Sequence, residues 1–219
     1  MIQLFHLSKT FGPNVVLNNI DLKIRRGEFV FVTGPSGAGK TTLLRLIFGA
    51  EKPSAGHILI NAINLSRISR HKLDLLRRRI GFVFQEFKLL SQKTVFENVA
   101  IALEVTGIRP KIIRKQTHQT LRLVGLEDKE KAYPLSLSGG EQQRIAIARA
   151  IVKDPLILLA DEPTGNLDPD LTMEIMSLFR RIHQRGTTVV IATHSRELIA
   201  DRECRTIILN RGHIAEDAR

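Results

Sequence analysis

One glycine-rich segment constrains this chain more than any other part of its sequence. Residues Gly34–Thr41 read GPSGAGKT, which fits the pattern G-x-x-x-x-G-K-[ST] at every position. The apolar residues before it, 28–33, predict a buried strand, and residues 42–48 predict a helix that ends at Gly49. A strand, this loop and a helix in that order are typical of a phosphate-binding loop in an α/β fold.

The residue types in this loop suit the binding of phosphate groups. Glycine allows backbone conformations that other residues avoid, so successive N–H groups can point at phosphate oxygens beside the positive end of the following helix. Lys40 would place a point charge beside the outer phosphates, and Thr41 would offer its hydroxyl to Mg²⁺. A glycine-rich turn formed by chance is the alternative, which the full match in this context disfavours. The predicted nucleotide-binding residues of the loop are Gly34, Pro35, Ser36, Gly37, Ala38, Gly39, Lys40, Thr41 and Thr42.

The composition is that of an ordinary globular protein with excess positive charge. At 219 residues the chain is long enough for one domain with an insertion. No apolar run approaches the ~18–20 residues of a membrane-spanning helix, no secretory signal begins the chain, and the single Cys204 cannot form an internal disulfide. We therefore expect a reducing, cytosolic location. The net charge of +11 suits a nucleic-acid binder and a protein held against anionic lipid equally well.

Hydrophobic periodicity divides the chain into a β-rich start, a helical middle and an α/β end. Residues 1–33 and 58–60 alternate apolar stretches with turns and predict antiparallel strands. Helices are predicted from Thr94, which with Glu97 forms a capping-box pattern, as far as Gly125. Buried strands and a closing hairpin are then predicted at residues 156–160, 187–192 and 207–214, which together indicate an α/β core.

The densest basic run, Arg77–Arg79, has two interpretations. It could contact phosphate groups, or it could be the solvated end of a helix, where arginine favours the negative pole of the helix dipole. The second arrangement is the more common one, and we expect it here.

Two carboxylates follow the apolar run at 156–160. Asp161 and Glu162 would lie at the carboxyl edge of a parallel sheet, where ligands bind in open α/β folds. We expect Asp161 to hold the Mg²⁺ shell and Glu162 to orient or deprotonate the water that attacks the outer phosphate. An acidic pair that merely favours a helix N-terminus is the alternative, which the phosphate loop in the same chain disfavours.

A second candidate phosphate site lies far along the chain. Residues 137–144 read LSGGEQQR and run directly into an apolar helical pattern at 145–151. Ser138 and the two glycines after it would expose unpaired N–H groups at the start of that helix. One chain thus carries two elements suited to phosphate.

Together these motifs resemble the nucleotide-binding subunit of the ABC ATPases. The likeness covers essentially the whole chain and rests on the phosphate loop, Gln85, LSGGEQQR at 137–144, LILLADE at 156–162, NLD at 166–168 and His194. It implies an α/β fold with a P-loop NTPase core, an antiparallel β subdomain and an α-helical insert. It also implies a single domain over residues 1–219, with the nucleotide-binding core and β subdomain in 1–85 and 155–219 and the helical subdomain in 86–154.

In this family two protomers enclose two ATP molecules, so the resemblance implies a homodimer with ATP and Mg²⁺ as cofactors. Each protomer would present its signature residues to the ATP held by the other, and Asp168 would link the two sites. The signature residues are Ser138, Gly139, Gly140 and Gln142. By the same resemblance the catalytic residues are Glu162, His194 and Gln85, the metal ligands are Thr41, Gln85 and Asp161, the last through water, and Phe11 stacks on adenine.

Three longer segments, 27–40, 77–90 and 94–107, closely resemble the FtsE family of bacterial cell-division ATPases. This resemblance implies an integral membrane partner of the FtsX type, contact with the division machinery, control of cell-wall hydrolysis, and a peripheral location on the cytoplasmic face of the inner membrane. No specific nucleic-acid partner is implied. The lipoprotein-release and macrolide-export ATPases share the run at 162–168 and are the alternative. A nucleic-acid-associated ATPase lacks support because the chain has no long coiled-coil insert, and Glu162 disfavours a non-hydrolysing scaffold.

A set of apolar residues around and after Gln85 is a candidate docking surface for the membrane partner. We expect Phe84 to belong to the core, and Phe87 and Leu89 to form a groove for a partner helix. The full set is Phe84, Phe87, Leu89, Leu90 and Phe96.

Overall fold

The computed structural model describes residues 1–199 and 204–218, which form two sheets and a set of helices. The strands are β1 (Ile2–Phe11), β2 (Asn14–Ile24), β3 (Phe29–Thr33), β4 (Ala55–Ile60), β5 (Ile63–Asn64), β6 (Ile80–Val83), β7 (Ile157–Asp161), β8 (Thr188–Ala192), β9 (Arg205–Asn210) and β10 (His213–Ala218). The helices are α1 (Lys40–Ile47), α2 (Arg70–Arg77), α3 (Val95–Glu104), α4 (Pro110–Val124), α5 (Gly139–Ile151), α6 (Pro169–Gln184) and α7 (Arg196–Ile199).

The smaller sheet is antiparallel and has the strand order β2-β1-β4-β5. Side chains alternate between the two faces of a strand, which puts Ile2 and Leu4 of β1 on the buried face. An irregularity at His6, whose φ is +47°, brings Leu7 onto the same face. The pairing of β1 with β2 and β4 confirms the antiparallel strands predicted for the start of the chain.

The larger sheet has the order β10-β9-β3-β8-β7-β6 and is parallel except for β10, which runs antiparallel to β9. Every residue of β3, β6, β7 and β8 is buried, as expected for parallel strands covered on both faces. Since β3 and β7 are both neighbours of β8, their carboxyl ends meet at one edge. The phosphate loop and Asp161 are therefore brought together although 120 residues separate Thr41 from Asp161.

Helices α3, α4 and α5 form the helical middle of the chain and share one apolar core. The predicted capping box is present at the start of α3, where Thr94 N donates to Glu97 Oε2 at 2.7 Å and Glu97 N donates to Thr94 Oγ1 at 3.3 Å. Gly125 ends α4 with a φ of 72°, which confirms the predicted stop. Side chains of the three helices in this core include Val99, Leu103, Leu121, Val124, Ile145 and Ile147.

The basic run is the end of a helix, as predicted. Arg77 is the last residue of α2, and its Nη2 donates to Gly49 O at 2.6 Å, near the carboxyl end of α1. These elements confirm the α/β class with its antiparallel sheet and helical insert. Within the part of the chain that the structure describes, no helix is both long and apolar enough to cross a bilayer.

Candidate active site

The phosphate loop joins β3 to α1 in a conformation that requires glycine at two positions. Gly34 has a φ of +143°, and a Cβ atom there would lie 2.0 Å from Leu209 O. Gly39 has a φ of +103°, and a Cβ atom there would lie 2.6 Å from Leu17 Cδ2. Any other side chain would therefore have to displace neighbouring strands. The loop is pressed between β9 and β2, which fixes where its N–H groups lie.

Lys40 begins α1 and is buried within this loop. Its ammonium group donates to Gly34 O at 2.8 Å and to Pro35 O at 3.2 Å, and it lies 3.8 Å from Glu162 Oε1. Hydrogen bonds from an ammonium group to charged phosphate oxygens are stronger than those to neutral carbonyl oxygens, so Lys40 is well placed to exchange its two carbonyl partners for phosphate.

Asp161 and Glu162 lie beside the loop, as predicted. Thr41 Oγ1 donates to Asp161 Oδ1 at 3.0 Å. Burial raises the pKa of Asp161 above its ordinary value, the hydrogen bond from Thr41 opposes that rise, and the nearby Glu162 carboxylate adds to it. A cation at this edge would favour the ionised carboxylate.

Glu162 adopts a backbone conformation that is uncommon for a residue with a side chain. Its φ is +47°, and its N–H donates to Ala192 O at 2.9 Å, which ties it to the end of β8. In this position Glu162 Oε2 lies 2.9 Å from His194 Nδ1, while Oε1 faces Lys40. The carboxylate is thus held on both sides by groups that can be cationic.

An open cleft of about 750 Å³ gathers most of the predicted site residues. Gln85, Glu162 and His194 line it opposite the phosphate loop. The Thr41 hydroxyl and the Gln85 amide supply oxygen atoms in the cleft, and the buried Asp161 carboxylate lies directly behind Thr41; such hard oxygen ligands are the ones that Mg²⁺ prefers. The described residues contain no group of three His, Cys, Asp or Glu that could hold a metal ion. The lining residues are Val16, Pro35, Ser36, Gly37, Ala38, Gly39, Lys40, Thr41, Thr42, Gln85, Glu162 and His194.

Two residues outside the phosphate loop bear on nucleotide binding. Phe11 is outside the cleft lining and 45% exposed, with Lys9 Nζ 4.5 Å from the centre of its ring, and its stacking on adenine stays a prediction. Val16 lines the cleft but was not predicted to do so. No local pattern marks Val16, because it reaches the cleft only through the packing of β2 against the phosphate loop.

The signature residues form a helix N-terminus away from the cleft. Ser138 caps α5 in a second capping box, in which Ser138 N donates to Glu141 Oε2 at 2.9 Å and Glu141 N donates to Ser138 Oγ at 3.3 Å. Ser138 and Gly139 are exposed, whereas Gly140 packs closely against Leu171. Gln142 Nε2 donates to Leu137 O at 3.0 Å. None of these residues lines the cleft of the same chain.

Asp168 has a local structural role at the start of α6. Its Oδ1 accepts from Leu171 N at 2.9 Å and so caps α6, which opens with Pro169. Asp168 is exposed and lies outside the cleft lining, so its link to a second site stays a prediction.

Two further residues, which the sequence did not indicate, hold the loop that follows Gln85. Asn98 is fully buried in α3, where it accepts from Leu90 N at 2.8 Å and donates to the carbonyl oxygens of Leu90, Lys93 and Thr94. Arg149 in α5 donates to the carbonyl oxygens of Phe87 and Lys88. The sequence gives no signal for these contacts, because they join main-chain groups across elements.

The comparison with known proteins accounts for this arrangement. Residues 17–165 match the family described as ABC transporter. The chain belongs to the ABC transporter family. It shares 50% identity over 219 residues with the cell division ATP-binding protein FtsE of Bacillus subtilis, an alignment that covers 99% of this chain and 96% of the relative. The FtsE protein of Escherichia coli K12 is 46% identical over 215 residues, covering 98% and 97%.

Solved ABC cassettes have the same fold. A post-hydrolysis dimer of the ATP-binding cassette MJ0796, bound to ADP and Pi, superposes with a TM-score of 0.90 at 36% identity, covering 100% of this chain and 98% of the other. A second dimeric structure of MJ0796, described as a bacterial ABC transporter cassette, superposes with a TM-score of 0.91 at 37% identity. The resemblance to ABC ATPases of the FtsE family is therefore confirmed. This chain is an ABC ATPase that binds ATP, and the comparisons do not favour the export alternative.

Proposed function

We propose that two copies of this chain hydrolyse ATP in shared sites and drive a membrane partner of the FtsX type in cell division. One observation supports a site shared between two copies. The phosphate loop and the exposed Ser138 turn are both suited to bind phosphate, yet only the phosphate loop lines the cleft. A second copy would supply the missing half. The dimeric state of the related cassettes supports this arrangement.

The residues of the cleft divide the chemistry between binding and water activation. Lys40 would leave Gly34 O and Pro35 O for the outer phosphates, while the loop N–H groups bind the remaining oxygens. Glu162, which contacts His194 and faces Lys40, would orient the attacking water or accept a proton from it. Bound Mg²⁺, held by Thr41 and Gln85 with Asp161 acting through water, would neutralise charge on the phosphates.

The signature turn would complete the site of the other copy. Ser138 and Gly139 are exposed at the positive end of α5. The Ser138 N–H donates to Glu141 and is not unpaired as expected, so the Ser138 hydroxyl and the Gly139 N–H are the groups that would reach an outer phosphate presented from outside the chain. Gly140 and Gln142 would shape the turn, and Asp168 would lie at the contact between the two copies. Closure on ATP and opening after hydrolysis then give the motion that the partner uses.

We infer that the membrane partner docks in a groove of about 470 Å³ whose lining includes Phe84, the residue before Gln85. Phe84 packs against the core, as predicted, and also lines this groove with Phe48, Phe82 and Val105. Phe87 and Leu89 pack against the helical core instead and are not among the lining residues. Within the docking set only Leu90 is strongly exposed.

The charge of this groove indicates what the partner segment must offer. Its basic residues are Arg77, Arg78, Arg149 and Lys153, against the single carboxylate of Asp74. Burial lowers the pKa of Lys153, and the positive charge of Arg78 lowers it further. A partner carboxylate beside Lys153 would counteract both effects by favouring the charged ammonium group. We therefore infer an apolar segment that carries Asp or Glu, contributed by an FtsX-like protein at the cytoplasmic face of the inner membrane.

The test is affinity purification of the tagged chain from bacterial membranes, followed by identification of the bound integral protein. We expect an FtsX-type protein, and Lys153→Glu should reduce its recovery at least tenfold. Lys115→Glu makes the same charge change on the exposed face of α4 and should leave recovery unchanged. Recovery of a lipoprotein-release or drug-export subunit instead would contradict the division role, and ATP turnover stimulated by DNA would contradict the absence of a nucleic-acid partner.

A further inference from the structure

The segment between Gln85 and the start of α3 is held in a tight, irregular course. Lys88 has a φ of +49°, and its N–H donates back to Glu86 O. This conformation is unfavourable for lysine by itself, so contacts from elsewhere must maintain it. The contacts come from Asn98 at Leu90 and from Arg149 at Phe87 and Lys88.

Arg149 is partly buried and bonds two adjacent main-chain carbonyl groups of the loop. Its Nη1 donates to Lys88 O and its Nη2 to Phe87 O, each at 2.7 Å. Among the described residues no carboxylate lies within ion-pair distance of it, and burial lowers the pKa of its guanidinium group. The planar fork of arginine can reach two adjacent carbonyl oxygens at once, which a lysine ammonium cannot do with the same geometry.

The position of Arg149 connects three functional regions. It lies on α5, the helix that begins at the Ser138 turn, so any movement of this helix as a rigid body carries Arg149 with it. Its two bonds hold the residues that follow Gln85, which lines the nucleotide cleft. Its side chain also lines the groove inferred to receive the partner. No other residue of the described chain belongs both to α5 and to the hydrogen bonds of this loop.

We propose that Arg149 is a positioning residue that makes the Gln85 loop and the signature helix move as one body. This inference rests on the proposed function, since it assigns the connection between the ATP cleft, the partner groove and the Ser138 turn. When the loop shifts in response to nucleotide or to the partner, the bidentate grip transmits the shift to α5. Loss of the grip would leave Gln85 and Ser138 individually intact but no longer placed relative to each other.

Arg149→Lys tests the proposal with little change in size and charge. We expect kcat for ATP hydrolysis to fall at least fivefold while the Kd for ATP, measured separately, stays within twofold. Amide hydrogen exchange of residues 86–90 should become at least tenfold faster, and exchange in the phosphate loop should not change. Arg149→Ala should exaggerate each effect, because it removes both donors.

Arg205→Lys is the matched control. Arg205 also donates to a main-chain carbonyl, Lys23 O at 2.8 Å, but it lies at the amino end of β9, away from the cleft. The Arg205→Lys substitution should leave kcat and the amide hydrogen exchange of residues 86–90 unchanged, even if the melting temperature falls. The proposal is overturned if Arg149→Lys leaves exchange at 86–90 unchanged, or if the loss of activity follows a matching loss of ATP affinity. Failure of the unaltered chain to hydrolyse ATP would refute the proposed function instead, and the exchange experiment would still decide the role of Arg149.

Discussion

Replacing Glu162 by Gln should slow turnover steeply while preserving the binding of ATP. The substitution keeps the shape of the side chain and an oxygen that can still accept from His194, whose Nδ1 lies 2.9 Å away. It removes the carboxylate charge that faces Lys40 at 3.8 Å. With an effective dielectric constant of about 20, that pair has a gross attraction of roughly 4 kcal/mol. Lys40 would therefore be freed for phosphate, and ATP affinity should stay equal or increase.

The loss in rate follows from the role of a general base. Such a group contributes about 10²–10⁴-fold, which corresponds to roughly 3–5 kcal/mol of barrier. We expect steady-state phosphate release to fall by this factor, while a fluorescent ATP analogue still binds and sedimentation shows an ATP-dependent dimer. Glu130→Gln is the matched control, since Glu130 Oε2 also pairs with a histidine, His118, at 2.8 Å but far from the cleft. Turnover at the original rate in Glu162→Gln, or loss of ATP binding, would refute this reasoning.

Three further outcomes are expected. Lys40→Ala should lower ATP affinity at least tenfold, since the phosphates lose their buried cationic partner, and equilibrium binding at an unchanged Kd would contradict this role. Asn98→Ala should lower the free energy of unfolding by about 3 kcal/mol because it removes four hydrogen bonds that the fully buried amide makes to main-chain groups of Leu90, Lys93 and Thr94; a loss below about 1 kcal/mol in urea unfolding would show that the loop finds other partners. The hydrogen bond from Ser138 N lowers the pKa of Glu141, so its stabilisation is complete above about pH 4.5 and is lost as pH falls through the lower folded-state value. The stability difference between the unaltered chain and Glu141→Gln should therefore shrink on acidification, and a difference that does not vary with pH would be inconsistent with this effect.

Local patterns predicted the parts of the molecule that are determined locally. The capping box at Thr94 and the glycine stop at Gly125 depend on residues within one turn, and both are present. The phosphate loop was predictable for the same reason, because its glycines, Lys40 and Thr41 are contiguous. Asp161 and Glu162 could be assigned to the same edge because parallel strands place their carboxyl ends together.

Contacts between distant elements could not be predicted in this way. The strand order β3-β8-β7-β6 differs from the order along the chain. Val16 lines the cleft only because β2, a strand of the other sheet, packs against the phosphate loop. Asn98 and Arg149 bond main-chain carbonyls, whose positions depend on the course of a loop rather than on its residue types. Hydrophobicity alone also could not show that the partly buried Phe87 and Leu89 pack against the helical core, and their part in docking stays a prediction.

The shared site between two copies is tested most directly by cysteine cross-linking. One population would carry Ser138→Cys and the other Ser36→Cys, an exposed position in the phosphate loop, both with Glu162→Gln and with Cys204→Ser to remove the native thiol. A cross-link between the two populations that forms with ATP and not without it is the expected result. Bound ATP with no cross-link between positions 138 and 36, with or without the membrane partner, would contradict the shared site.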